Sequence, residues 1–311
     1  MKRRKKIPRK RKILDKKLIF STGIIAVIVL GLVFYKVFFQ TSEIKFSLKA
    51  AIIDQLGKDF PNSTFSNNVT ALLESVGFNV SYHKSENITV NFYKGLAKSN
   101  YGIIILRAHS ALRNQTPPVV DLFTSEEYTN STDVHYDDRR KGLLAVGKYY
   151  WNPNMSYFAV KPEFIEELDS PFPNSIVIAM GCWSLKPGCE QMANAFIKKG
   201  AKAYIGWTDM VYPQDTDNET VKLLKLLLDE DKPLGYAIDN TKNYTCQFGG
   251  QTVTTHLDFY PKSGIVANLT ISELIKEAKA SITLQTTFYS FDPLLPLLFA
   301  TNVINHNSKD F

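Results

Sequence analysis

Cysteine is scarce in this chain: three residues of 311, Cys182, Cys189 and Cys246. So few exclude a disulfide-knit scaffold. Histidine is also rare, at five residues, and no Cys-x-x-Cys or His-x-x-x-His spacing offers a zinc site. No metal and no cofactor are expected. Internal repeats are missing, and low complexity is confined to the first 17 residues. Also missing, outside those residues, is any basic run. The formal charge is +7, but residues 1–17 hold eleven Lys/Arg against one acid and leave the rest of the chain at −3. With no Lys/Arg cluster to track phosphates among the aromatics, nucleic acid is disfavoured as a partner.

What is present begins with an apolar run, LIFSTGIIAVIVLGLVFYKVFF, over 18–39. At ~1.5 Å per residue it would span about 33 Å as a helix, enough for a bilayer core. A cleaved signal peptide has a shorter apolar region and a small-residue cleavage site. This run ends in bulky Phe38-Phe39. The cations before it keep residues 1–17 cytoplasmic. The sequence therefore predicts a basic tail (1–17), a transmembrane signal anchor (18–39) and an extracytoplasmic domain (40–311). Membrane lipid is the expected partner of the anchor, in the cell membrane or another secretory membrane. Asn-x-Ser/Thr triplets begin at Asn62, Asn68, Asn79, Asn87, Asn114, Asn130, Asn154, Asn218, Asn243 and Asn268, half of the twenty Asn. Chance gives about three, so the excess fits a glycosylated, outward-facing domain. In that oxidising setting an odd cysteine count leaves one thiol unpaired. Cys189 and Cys246 are the candidate disulfide, leaving Cys182 free.

From Phe46 onward, short aliphatic runs alternate with amphipathic stretches. LKAAIIDQL, NVSYHK, GIIILRAH, SIVIAM and AKAYIGW read as strands. SNNVTALLESVG (Asn67 or Asn68 as cap, Gly77 as stop), TVNFYKGLAKSN, EQMANAFIKKG and NETVKLLKLLLDE read as helices. That alternation predicts an α/β domain of three layers, with a mostly parallel sheet between helices. The stretch from about 111 to 173 breaks the rhythm. Rich in Tyr, Asp, Asn and Pro, it reads as an insertion of short antiparallel strands over the carboxyl edge of the sheet. After Cys246, TVTTHLDFYP suggests an edge strand and ISELIKEAKAS a helix.

In open α/β sheets, sites form beyond the carboxyl ends of the strands. Three such ends carry His109, Cys182 and Trp207-Thr208-Asp209. A thiol attacks as thiolate, and an imidazole within reach can take its proton and return it to a leaving amine. Gly181 supplies the freedom for a sharp turn before Cys182. Each residue also has a bland reading: a strand-end Cys as a small buried hydrophobe, a strand-end His as a hydrogen-bonded structural group. The acids Asp215, Asp217 and Glu219 read as the dipole-matched start of a helix, and Asp137-Asp138-Arg139-Arg140 as an exposed turn.

At these residues the chain resembles the caspase-like cysteine peptidases, the group of caspases, metacaspases, legumain, gingipain and clostripain, and also the separase- and CHAT-type branch. The matched pattern is GIIILRAHS, SIVIAMGC, EQMANAFIKKGAKAYIGW and TDMV in order, within about 49–230. The resemblance implies Cys182 as nucleophile and His109 as general base and acid. It implies oxyanion donors at the backbone of Cys182 and near Ser110, and a peptide or protein substrate. It also implies a first specificity pocket, with Asp54 or Asp209 as acidic lining and Trp207 as an apolar wall. The family usually has Gly after the His, where this chain has Ser110. Three functions follow as alternatives: a membrane-anchored cysteine endopeptidase, an inactive caspase-like module for surface binding or assembly, and a transpeptidase at the same dyad.

Overall fold

The computed structural model describes residues 45–280, except 132, 150 and 151, together with residues 28 and 31, which are helical. The chain divides into a unit Met1–Glu43 and a unit Ile44–Phe311. Apart from those two positions, the anchor expected over 18–39 lies outside the described residues. Among the described residues no helix is long and apolar enough to cross a membrane.

The second unit is built on a six-stranded sheet. Its strands are β1 (Lys49–Asp54), β2 (Asn79–Lys84), β3 (Ile103–Arg107), β8 (Ile176–Ala179), β9 (Ala203–Trp207) and β12 (Leu257–Tyr260), in the order β12-β9-β8-β3-β1-β2. All neighbours are parallel except β12, which runs antiparallel to β9. Every residue of β3, β8 and β9 is buried, as near-continuous aliphatic runs require when both faces are covered. The period of two sends Ile52, Ile105, Ile178 and Ile205 to one core, shared with α1 (Ser63–Ser75) and α6 (Pro213–Leu224). Ile53, Ile104, Val177 and Tyr204 go to the other, shared with α2 (Val90–Gly95), α4 (Pro162–Glu166) and α5 (Gln191–Lys198). Each such side chain contributes roughly 1.5–3 kcal/mol by leaving water.

The expected insertion is a second sheet of four antiparallel strands, β4 (Ser110–Arg113), β5 (Val119–Glu127), β6 (Leu144–Tyr149) and β7 (Asn152–Val160), in the order β4-β5-β7-β6. Val120, Leu122, Phe158 and Val160 turn into the core shared with α5. Phe123, Tyr149, Tyr157 and Ala159 gather on the opposite side as a small aromatic cluster. The described residues close with α7 (Leu234–Asp239), a hairpin of β10 (Tyr244–Phe248) and β11 (Gln251–Thr255), a short α8 (Gly264–Ala267), and a helix, α9, over 271–280.

Two helix starts differ from the sequence expectation. α1 begins at Ser63, and its cap is Asn62, whose Oδ1 accepts from the Phe65 N–H at 3.0 Å. The buried stripe Phe65, Val69, Leu73 starts before Asn67, so the core fixes the earlier beginning. The Asn62 amide nitrogen donates to Asp217 at 2.9 Å, which sets this Asn apart from the nine other acceptor asparagines, all exposed. α6 begins at Pro213, and two acids read as the dipole-matched start of this helix, Asp217 and Glu219, lie inside it and are each 3% exposed. In the Asp137–Arg140 stretch, a short α3 (Tyr136–Arg140), Asp138 is likewise buried and pairs with Lys94 at 2.7 Å.

Candidate functional site

Register brings the two candidate residues to one place. β3 and β8 pair from Ile103 opposite Ile176 to Leu106 opposite Ala179, a constant offset of 73. The Met180 N–H continues the ladder by donating to the Leu106 carbonyl at 2.9 Å. Three residues beyond that last pair the chain reaches His109 at one strand end and Cys182 at the other. The two strand ends are also in direct contact. A Cβ on Gly181 would lie 2.5 Å from the Ala108 carbonyl oxygen and 2.9 Å from the Ser110 nitrogen, so only glycine lets these backbones meet. The Ser110 hydroxyl donates to the Cys182 carbonyl at 2.5 Å. Ser110, where the resembled family has Gly, thus ties the His-bearing turn to the Cys-bearing turn.

Around these backbones the side chains are held by residues the sequence did not mark. The His109 N–H donates to Gln55 Oε1 at 2.9 Å, and Gln55 Nε2 donates to the Tyr149 hydroxyl at 2.8 Å. The His109 ring packs on Tyr149, Phe60 and Phe123, with centroids at 4.5, 6.0 and 6.2 Å. Cys182 Sγ donates to the Val211 carbonyl at 3.4 Å and accepts from the Val211 N–H at 3.5 Å. Trp183 follows with φ +57, a left-handed conformation costly for a bulky residue. Its indole N–H donates to Asp209 Oδ1 at 2.7 Å, and its backbone N–H to the Asp209 carbonyl at 3.1 Å.

Burial, reinforced by the Arg107 cation two residues away, holds the His109 imidazole down to about 3. Burial also pushes the Cys182 thiol up to about 11, against the opposing backbone hydrogen bond from Val211. The resting pair at neutral pH is therefore thiol and neutral imidazole, not thiolate and imidazolium. The imidazole is a free base in this form, but the thiol is weakly acidic. Alkylation of Cys182 by iodoacetamide is expected to accelerate about tenfold per pH unit from 7 through 9. A rate that is already level below pH 7 would mark a preformed ion pair and contradict this assignment.

No protein-family model matches the chain, and no curated protein is significantly similar to it.

The remaining expected site residues fall elsewhere. Asp54 is 2% exposed and is a core residue, not a pocket wall. Its Oδ1 takes Arg107 Nη1 at 2.6 Å and its Oδ2 the Tyr82 hydroxyl at 2.6 Å. Trp207 is fully buried, its indole N–H spent on Thr216 Oγ1 at 2.8 Å. Asp209 does stand beside Cys182, but its carboxylate is divided between Trp183, the Met210 N–H and Lys186 Nζ, the last at 2.7 Å. The expected disulfide is absent: all three cysteines are free thiols. Cys189 sits in the core shared with α5, whereas Cys246 lies on β10.

The centre of the carboxyl edge is instead a buried ion cluster. Arg107 bonds Asp217 through Nε at 2.7 Å and Nη2 at 2.8 Å, Asp54 through Nη1, and the Phe60 carbonyl through Nη2 at 2.8 Å. A lone Arg in an aliphatic strand was the only sequence signal for it.

Proposed function

We propose that the chain is a membrane-anchored cysteine endopeptidase of caspase-like fold, held by residues 18–39 with the domain from 40 onward outside the cytoplasm. The observation that carries this reading is that the turns bearing His109 and Cys182 leave adjacent strand ends and are fastened together by Gly181 and Ser110. The neutral imidazole takes the thiol proton as Sγ attacks the substrate carbonyl. The imidazolium then donates that proton to the departing amine, and water hydrolyses the remaining thioester. The Ser110 and Cys182 N–H groups stand nearest the developing oxyanion. Outward orientation draws support from the nine exposed acceptor asparagines.

A second reading, an inactive surface module on the same fold, is favoured by one specific observation: Sγ is bonded to both backbone groups of Val211. The test incubates the purified full chain, under mild reduction, with a mixed peptide library read by mass spectrometry. Wild type is expected to cleave, and Cys182→Ala and His109→Ala each to lose about a thousandfold or more. Cleavage that survives Cys182→Ala sinks the dyad. Silence of all three chains, in membranes and in detergent, selects the inactive module.

A further inference from the structure

Beside His109 lies a groove the dyad does not use. It crosses the outer face of the β4-β5-β7-β6 sheet and encloses about 420 Å³. Its floor is low because Ala111, Ala145, Ala159 and Gly147 lie along it. At Gly147 a Cβ would run into the Phe123 ring, which occupies that space instead. The same Phe123 ring is the one packed edge-on to His109. β4 itself starts at Ser110, so the groove leads directly away from the imidazole.

Its charge runs against that of the domain. Arg113, Lys148 and Lys161 line it, with Asp121 as the one carboxylate. Asp121 is already taken by the Arg113 fork, at 3.0 and 3.1 Å. Two cations remain in surplus, on a chain that is −3 outside its first 17 residues. Lys148 is exposed, and Lys161 spends one donor on the Gly142 carbonyl at 2.7 Å. From β4 to β6 is three strand spacings, about 14 Å, or about four residues of extended peptide.

We propose that this groove is a subsite for an acidic stretch of the polypeptide acted on at Cys182, with Lys148 and Lys161 receiving its carboxylates. The placement beside the dyad rests on the peptidase reading; the affinity for acidic peptide does not. A small-residue floor admits backbone, and a cationic rim selects side chains that balance it.

The test uses the full chain with Cys182→Ala, so that nothing is cleaved, and Asn114→Gln, because Asn114 stands at the rim and heads an acceptor triplet. The probe is a six-residue peptide with Glu at alternate positions. Carbodiimide coupling joins bound carboxylates to lysines in contact, and mass spectrometry reads each site. Saturable coupling is expected at Lys148 and Lys161, at least tenfold above the exposed Lys225. Lys148→Glu is expected to lower coupling at Lys161 at least fivefold. Uniform coupling over all lysines, including those of the N-terminal tail, or indifference to Lys148→Glu, overturns the proposal. Because coupling requires no turnover, selective coupling in a chain whose wild type cleaves nothing retains the groove and removes the peptidase reading. Cleavage accompanied by indiscriminate coupling does the reverse.

Discussion

Arg107→Ala is expected to destabilise the domain by about 3–5 kcal/mol, a large share of the ~5–15 kcal/mol that typically separates folded from unfolded states. Arg107 has no solvent exposure. Among the described residues it is the only cation paired with Asp54 and Asp217, and these two acids are 2% and 3% exposed. Its removal leaves two buried carboxylates whose side-chain donors, among the described residues, are the Tyr82 hydroxyl and the Asn62 amide. They can ionise only at a steep desolvation cost, or take up protons. The same change removes the guanidinium that rests over the Phe65 ring at 5.5 Å and opens a cavity against α1. Urea unfolding of wild type and variant at pH 7 measures the loss. A loss below about 1 kcal/mol would mean that the cluster is already hydrated, contrary to its burial. Asp217→Asn, which keeps shape and one acceptor, should cost less than Arg107→Ala.

The second large effect falls on the join between the two turns. Gly181→Ala inserts a methyl group at 2.5 Å from the Ala108 carbonyl and 2.9 Å from the Ser110 nitrogen. These are backbone atoms at the end of a fully buried strand and cannot rotate away as a side-chain tip can. The turns must separate, at a cost of about 1–3 kcal/mol. The Ser110–Cys182 hydrogen bond lengthens, and the turn bearing His109 moves away from the turn bearing Cys182. Under the peptidase reading a shift of this size lowers turnover about a hundredfold. Ser110→Ala, which removes the hydroxyl bond without forcing the backbones apart, should cost only about 0.5–1.5 kcal/mol. Thermal melts and peptide cleavage on both variants provide the measurement. Equal stability and activity of Gly181→Ala and wild type would show that the two turns are not in contact.

Several features were legible because they are local. Strings such as IIIL and IVIA announce strands buried on both faces, and Gly77 and Gly200 stop helices with φ of +98 and +104. The β10–β11 hairpin was legible too, but was missed. Its turn is Gly249-Gly250, with φ of +58 and +77, a dipeptide whose freedom suits a tight hairpin. The strand β4 had no such signal, since SALR has neither alternation nor length; its pairing with β5 makes it a strand.

An α/β domain in which a His and a Cys end neighbouring strands follows from local pattern alone, because periodicity and aliphatic runs are written residue by residue. What those residues meet depends on packing between distant segments. Arg107 reaches Asp217 across 110 positions and Asp54 across 53. Hence Asp54, which reads as a specificity carboxylate in the sequence, becomes half of a core ion cluster. The offset of 73 between β3 and β8, from which the His109 and Cys182 turns leave side by side, is set by which residue of β3 faces which residue of β8. Protonation follows from the same placement. A thiol or imidazole has its ordinary affinity for protons in the unfolded chain, and burial among particular neighbours moves it. Burial is a property of the assembled layers, so no stretch of sequence carries it alone.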